Sequence, residues 1–562
     1  MHYKVWFGSR FVAAAAAAIT LMAGATHASA AEIPSGGDIA EGLAVHVSPK
    51  GINFLENQVQ FLVPSAFTVG NQQGNLFSCL FDTCVWRLKN TVINVDVGKV
   101  TLTPQEGRLR LQMELWVSGT ARVETGGCLF NNGCNIVLDP SKVTADTTIE
   151  MNLVPDGTGR YEVDAETELF AIGLNLGDPD INGCLLGNFL EFFVELFLGT
   201  VENAVEDVIQ DYVRPLIEPA VEDAFNSLNV AGTFDIGGVP LDYDFYPTAL
   251  EIHPGTIGLV MGGHFSTDEV AACADPNRGS VVTVGNLPDF GDFAPSGSDY
   301  SVAASLSDDL LNQLLFSAWR GGLLCMSMDS MDSSMLELIG GSLSTILTDD
   351  GAMAIQVTAT EPPLATLGGP NGETAMISLA NMKIDLMADV EGRMARIVGL
   401  QLSPLAGATL AFNADGQLVP TLNFDTSDLQ AQVGYNELAP DVNATILALL
   451  PTLVEQFLPT LTDAIPPIDL PELGGIVLES AEFTPDGPQG DFLSAYATLG
   501  GQISAGGCSA IPGGGCGVDA GGLGCSLAGQ GARGNAASFM ASPAMMLVGI
   551  GALLVRRRRE KS

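Results

Sequence analysis

The chain is poor in positive charge. Its 562 residues carry 23 lysines and arginines against 65 aspartates and glutamates, a formal charge of −42. A deficit on that scale excludes the broad basic surfaces that hold nucleic acid, and it disfavours non-specific attraction to an anionic membrane. Histidine is scarcer still: of five in all, His46, His253 and His264 lie beyond the first thirty residues. No H-E-x-x-H, G-x-S-x-G or P-loop pattern accompanies them. His46 stands among alternating strand residues, where a structural role is expected. Neighbouring carboxylates such as Asp308 and Asp309 suit the positive start of a helix better than acid–base chemistry. No enzyme is legible, and no cofactor is expected. The ten cysteines never fall in a C-x-x-C spacing, which removes the commonest zinc pattern. Cys79 with Cys84, and Cys128 with Cys134, could each close a short loop. Residues 31–499 hold an odd number of cysteines, which leaves one thiol over or points to a pairing that spacing does not give.

What is abundant is apolar and small. Hydrophobic residues make up 47% of the chain, with 65 glycines and 30 prolines, a composition for sheets joined by many turns. The length suits two to four domains. Residues 1–30 read as a secretory signal: Lys4 and Arg10, an apolar centre over 12–22, then Ala28, Ser29 and Ala30 at the cleavage site. Export permits disulfides.

The dominant stretch is 189–228. From Val201 its apolar residues fall in pairs four apart (Ala204/Val205, Val208/Ile209, Tyr212/Val213, Leu216/Ile217), the spacing of a one-sided helix. Glu202, Glu206, Asp207, Asp211, Glu218, Glu222 and Asp223 occupy the other face. Pro215 and Pro219 predict a bend. Fully helical, the stretch would span about 60 Å, a length suited to lying along a curved sheet. Ahead of it, Ser48 and Pro49 mark a helix start, and 74–175 alternate as strands. Residues 271–298 read as a linker. The second half repeats the plan: a strand, a helix capped by Ser307 with Leu310, Leu311, Leu314, Leu315, Ala318 and Trp319 facing in, strands over 343–435, and a second long helix over 443–464. Helix starts lie 141 residues apart in one half (48 to 189) and 136 in the other (307 to 443).

Four stretches, in this order and spacing, resemble the bactericidal/permeability-increasing and lipopolysaccharide-binding proteins of the tubular lipid-binding superfamily. They are Leu43-Ala-Val-His-Val-Ser-Pro-Lys-Gly-Ile-Asn-Phe-Leu55; the 202–228 helix with Asp242-Tyr243 and Leu259-Val-Met-Gly-Gly-His-Phe265; Leu306-Ser-Asp-Asp-Leu-Leu-Asn-Gln-Leu-Leu-Phe-Ser-Ala-Trp-Arg-Gly-Gly-Leu-Leu324; and 454–499. The resemblance implies an α+β fold of two elongated barrels, each a twisted antiparallel sheet wrapped on a long bent helix, joined through a central sheet. It divides the chain into an N-terminal barrel over 31–270 and a C-terminal barrel over 299–499. It implies a non-enzymatic lipid-binding or lipid-transfer function, with a phospholipid or other acyl lipid as partner. Slot walls by analogy are Ile52, Leu55, Val59, Ile209, Val213 and Ile217 in the first barrel. In the second they are Leu311, Leu315, Trp319, Val454, Phe457 and Leu461. The alternative is a surface adhesin or structural module whose barrels hold side chains alone. Residues 42–270 carry only ten basic residues, among them Arg87, Lys89, Lys99, Arg108 and Arg110, so lipopolysaccharide recognition is not carried over.

Two further signals remain. Asp178, Asp180 and Asn182 match the first half of an EF-hand loop, but Phe189 stands where the twelfth-position glutamate belongs, so an Asx turn is preferred to calcium. Residues 500–535 form a glycine-rich tether holding Cys508, Cys516 and Cys525. Residues 536–562 follow, with an apolar span long enough to cross a bilayer and then Arg556 to Arg559. Cys525 with that span and arginine block resembles the C-terminal sorting signals of myxobacterial surface proteins; a plain membrane anchor is the alternative. The expected location is the cell surface, the outer membrane or the periplasm.

Overall fold

The computed structural model describes residues 31–59, 66–79, 82–126, 133–183, 190–207, 209–210, 214–226, 229–283, 285–331, 353–390, 392–412, 418–424, 429–437, 440–448, 450–451 and 476–501. These residues are mostly β-sheet, with two curled half-barrel sheets and few helices. The first sheet has eight strands between residues 66 and 182, built on three long neighbours: Asp82–Gln105, Arg108–Gly126 and Gly133–Pro155. Along Arg108–Gly126 every second side chain is buried, from Leu109 through Leu111, Met113, Leu115 and Val117 to Val123. Period-two alternation thus becomes a one-sided sheet. Its ladder shifts register between Lys89 and Val92, between Val97 and Lys99, and between Val117 and Gly119. Such bulges increase twist and let strands of this length curl.

Helices line the buried face. Helix α1 (Pro49–Val59) starts where the sequence places it: the Gly51 amide donates to Ser48 Oγ at 3.3 Å. Ser48 is itself buried and donates to the Tyr300 carbonyl, tying that start to the second half of the chain. Helix α2 (Leu190–Asp207) buries Phe193, Phe197, Val201 and Val205, a stripe at spacing four, in the first sheet's core. Ile209 and Gln210 continue in a wider, π-type turn, and helix α3 (Arg214–Asn226) follows. The single long helix expected over 189–228 is therefore described as two helices. Pro219 lies inside α3.

The central sheet has seven antiparallel strands, in the order Val230–Ile236, Val239–His253, Thr256–Ser266, Ile39–Val47, Val302–Ser307, Phe492–Gly501, Ile476–Asp486. Its middle strand is the first of this set in the sequence: Val45 pairs with Leu259 on one side and Ala304 on the other. Both halves of the chain are thus hydrogen-bonded through residues 39–47. Two smaller sheets, of five and four strands, lie between residues 325 and 435, and Ile446 and Leu450 from the helical stretch after Val442 are buried with the five-stranded one. Helix α4 (Asp308–Gly321) is capped by Ser307, whose Oγ accepts the Leu310 amide at 3.2 Å. It ends on Gly322 in the left-handed region at φ 103°.

Residues 271–298 are mostly irregular yet held at several points. Ser280–Val282 pairs with Ala31–Ile33, Cys273 is disulfide-bonded to Cys325, and Phe290 stacks on His46. Cys134 is also in a disulfide. The Cys273–Cys325 bridge joins residues 52 apart in sequence, a pairing that spacing does not suggest.

Candidate functional site

Ile52, Ile217 and Val221 meet over one end of the first sheet, with Leu109, Ile149, Met151, Val163 and the central-sheet residue Ile252. Ile217 also packs against the neighbouring cluster that holds Ile209. Ile52 and Ile209 are fully buried, whereas Leu55 and Ile217 keep part of their surface. In the second half Leu311, Leu315 and Trp319 share one stripe at spacing four, and burial increases along it. Leu311 and Leu315 are half-buried; Trp319 is wholly buried beside Phe316, its indole N–H donating to the Ala359 carbonyl at 2.8 Å. Val59, Val213, Val454, Phe457 and Leu461 have side chains outside the described residues, as do Cys525 and the apolar span after it. Among the described residues no helix is long and apolar enough to cross a membrane.

Helix α4 follows the expected face only in part: Leu310, Ala318 and Trp319 are buried as expected, but polar side chains are buried beside them. Asp309, Asn312, Gln313 and Ser317 are buried, and Leu311, Leu314 and Leu315 are the half-exposed positions. Each buried polar group holds backbone of another segment. Gln313 accepts the Phe265 amide at 2.8 Å and donates to the Gly37 carbonyl at 2.7 Å; Asn312 accepts the Ala365 amide at 2.7 Å. Ser317 donates to the Phe265 carbonyl and Asp309 accepts the Thr283 amide. Buried polar groups satisfied in this way cost little, and they fix the helix at one position. Leu314 packs against the central-sheet core, whereas Leu311 and Leu315 join none of the core clusters of the described residues.

The same device recurs on α3, on the face that carries its acidic residues. Glu218, Glu222 and Asn226, four apart, accept the amides of Thr167, Ala165 and Val163, two apart on an edge strand. One helical turn advances about as far as two strand residues, so the two series stay in step. On α1, Glu56 accepts the Leu102 amide at 2.7 Å.

Burial lowers His46 to about 4, although Asp292 and Asp289 pull the other way, and its Nε2 has no hydrogen-bond partner. Burial also pushes Tyr300 and Tyr496 well above the ordinary phenol range. Asp308 is raised to about 7 by burial and by the charges of Asp309 and Asp491. Asp178, Asp180 and Asn182 are exposed, the last two in a short strand paired with residues 135–137. No group of three potential metal ligands comes together among the described residues. Of the basic residues near the start of the first sheet, Lys89 pairs with Glu124 at 2.6 Å and Arg110 with Asp146.

No protein-family model and no curated protein sequence matches the chain. Among solved structures, a lipopolysaccharide binding protein aligns over 82% of this chain and 99% of its own, with a TM-score of 0.47 and 16% identity. P47 of Clostridium botulinum E1 aligns over 83% and 100%, with a TM-score of 0.27 and 7% identity. Epiphyas postvittana Takeout 1 aligns over 28% of this chain and 73% of its own, with a TM-score of 0.14 and 11% identity. Likeness this distant assigns no residue a role.

Proposed function

We propose that the protein is a non-enzymatic lipid-binding or lipid-transfer protein that takes acyl chains against the apolar sides of its helices. One observation carries the reading: Leu311 and Leu315 stay half-buried, outside the core clusters of the described residues, on a helix that buries Asp309, Asn312, Gln313 and Ser317 instead. Leucines in that position need a cover, and an acyl chain gains about 0.8 kcal/mol for each CH₂ it buries. Leu55 and Ile217 offer the corresponding part-buried surface in the first half. Ile52, Ile209 and Trp319 stand behind as fully buried backing. Val59, Val213, Val454, Phe457 and Leu461 complete the proposed walls. The full burial of Ile52, Ile209 and Trp319 is also what an adhesive or structural module with sealed cores would have, and this is the second reading.

Uptake of a fluorescent phospholipid by the purified protein separates the two. The lipid reading expects saturable uptake, reduced at least about tenfold by Leu311→Asp or Leu315→Asp, with circular dichroism unchanged; tenfold is about 1.4 kcal/mol of binding. Absence of uptake by the wild-type chain contradicts it. As a proposal of the same standing, the protein is exported and held at the cell surface, the outer membrane or the periplasm, with Cys525 central to processing. Mass spectrometry of the mature C-terminus checks this, since an intact Val555 contradicts removal of the span.

A further inference from the structure

Two hydrogen-bonding atoms beside the apolar wall of the first half are buried and unpaired. Thr167 ends the strand Tyr161–Thr167, and its side chain falls on the same face as Val163 and Ala165, which pack with Ile217 and Val221 of α3. The residue is 1% exposed, yet its hydroxyl has no hydrogen-bond partner. Gln210 stands in the π-type turn between α2 and α3, an irregularity found frequently at functional sites. Its Nε2 donates to the Phe170 carbonyl at 3.1 Å, which fixes the amide and leaves Oε1 buried without a partner.

The segment 167–170 is pinned at both ends, since Glu218 accepts the Thr167 amide at 2.9 Å while Gln210 holds Phe170. At most about 10 Å of chain separates the two ends. Leu169, between them, is 70% exposed, so the segment lies at the surface and a ligand can reach it. Ile217, half-buried and next to Glu218, packs against the apolar clusters on both sides. A hydrocarbon chain covers Ile217 but cannot satisfy an oxygen. The linkage of an acyl lipid can. Gln210 Oε1 only accepts, so its partner carries a hydroxyl or an N–H, whereas the Thr167 hydroxyl can donate to an ester carbonyl. A charged head group has no counterpart here, because Arg214, the basic residue of α3, is paired with Glu218 at 3.2 Å.

We propose that the first half of the chain selects acyl lipids whose linkage bears both an ester carbonyl and a hydroxyl, as a monoacylglycerol or diacylglycerol does. Thr167 donates to the carbonyl and Gln210 Oε1 accepts from the hydroxyl. This rests on the lipid reading above and names the chemistry within it. Three competitors with the same chain test it against a fluorescent phospholipid on the full-length protein: monoolein, its ether analogue 1-O-oleylglycerol without the carbonyl, and methyl oleate without the hydroxyl. Monoolein should displace the phospholipid at a concentration at least about fivefold lower than either of the others. Thr167→Val should remove its advantage over the ether alone, and Gln210→Met its advantage over methyl oleate alone. Equal displacement by all three in the wild type overturns the inference and leaves the lipid reading standing, whether or not the variants fold. An unchanged ranking in both folded variants overturns it as well. Absence of phospholipid uptake by the wild type overturns the lipid reading and this inference together.

Discussion

At the scale of single residues, buried His46 and half-buried Asp308 set opposing acid responses. His46 is held neutral: its folded value near 4 lies below the ordinary 6.5, so the stability it contributes is present above pH 6.5 and lost as pH falls towards 4. The full effect is up to about 3 kcal/mol, at 1.36 kcal/mol per unit. Asp308 runs the other way. Its folded value near 7 lies above 3.8, so its contribution is complete below pH 3.8 and lost as pH rises through 7. In the wild type the two partly cancel, and single substitutions expose each. Relative to wild type, Asp308→Asn should gain stability at pH 8, where a half-buried charge is removed, and lose that advantage as pH falls. His46→Gln should gain relative stability towards pH 4. Urea denaturation across this range checks both, and parallel profiles for the three proteins would contradict them.

At the scale of elements, the caps were legible and the locks were not. Ser48 before Pro49, and Ser307 before two aspartates, announce helix starts because a capping side chain is local to the helix it caps. Alternation along residues 109–123 likewise announced a one-sided sheet. The buried polar face of α4 escaped notice because Asn312, Gln313 and Ser317 read as solvent residues until their partners at 37, 265 and 365 are in place. The Cys273–Cys325 pairing escaped for the same reason, since parity counts thiols and does not place them. Of the proposed lipid-facing residues, spacing gave the shared stripe of Leu311, Leu315 and Trp319 but not the increase of burial along it. The edge locks make a sharp prediction. Asn226 both accepts from and donates to Val163, at 2.7 and 2.8 Å, so Asn226→Ala should cost about 2 kcal/mol and speed exchange at the Val163 amide. Gly322→Ala forces a side chain into the left-handed region that ends α4, and should cost about 1 kcal/mol in thermal denaturation.

At the scale of the whole molecule, the strand Ile39–Val47 lies between Thr256–Ser266 and Val302–Ser307, so one ladder joins sequence more than 250 residues apart. Breaking that ladder should unfold both halves together. A formal charge of −42 works against compactness, so stability should rise with salt as repulsion is screened. Within this frame the leucines of α4 are the surface on which the functional account depends. Native mass spectrometry of the protein taken directly from its producing cells tests that account most directly. The account predicts adducts with the masses of acyl lipids, lost on delipidation, regained with added phospholipid, and diminished in Leu311→Asp and Leu315→Asp. A bare polypeptide mass before and after incubation with phospholipid would contradict it.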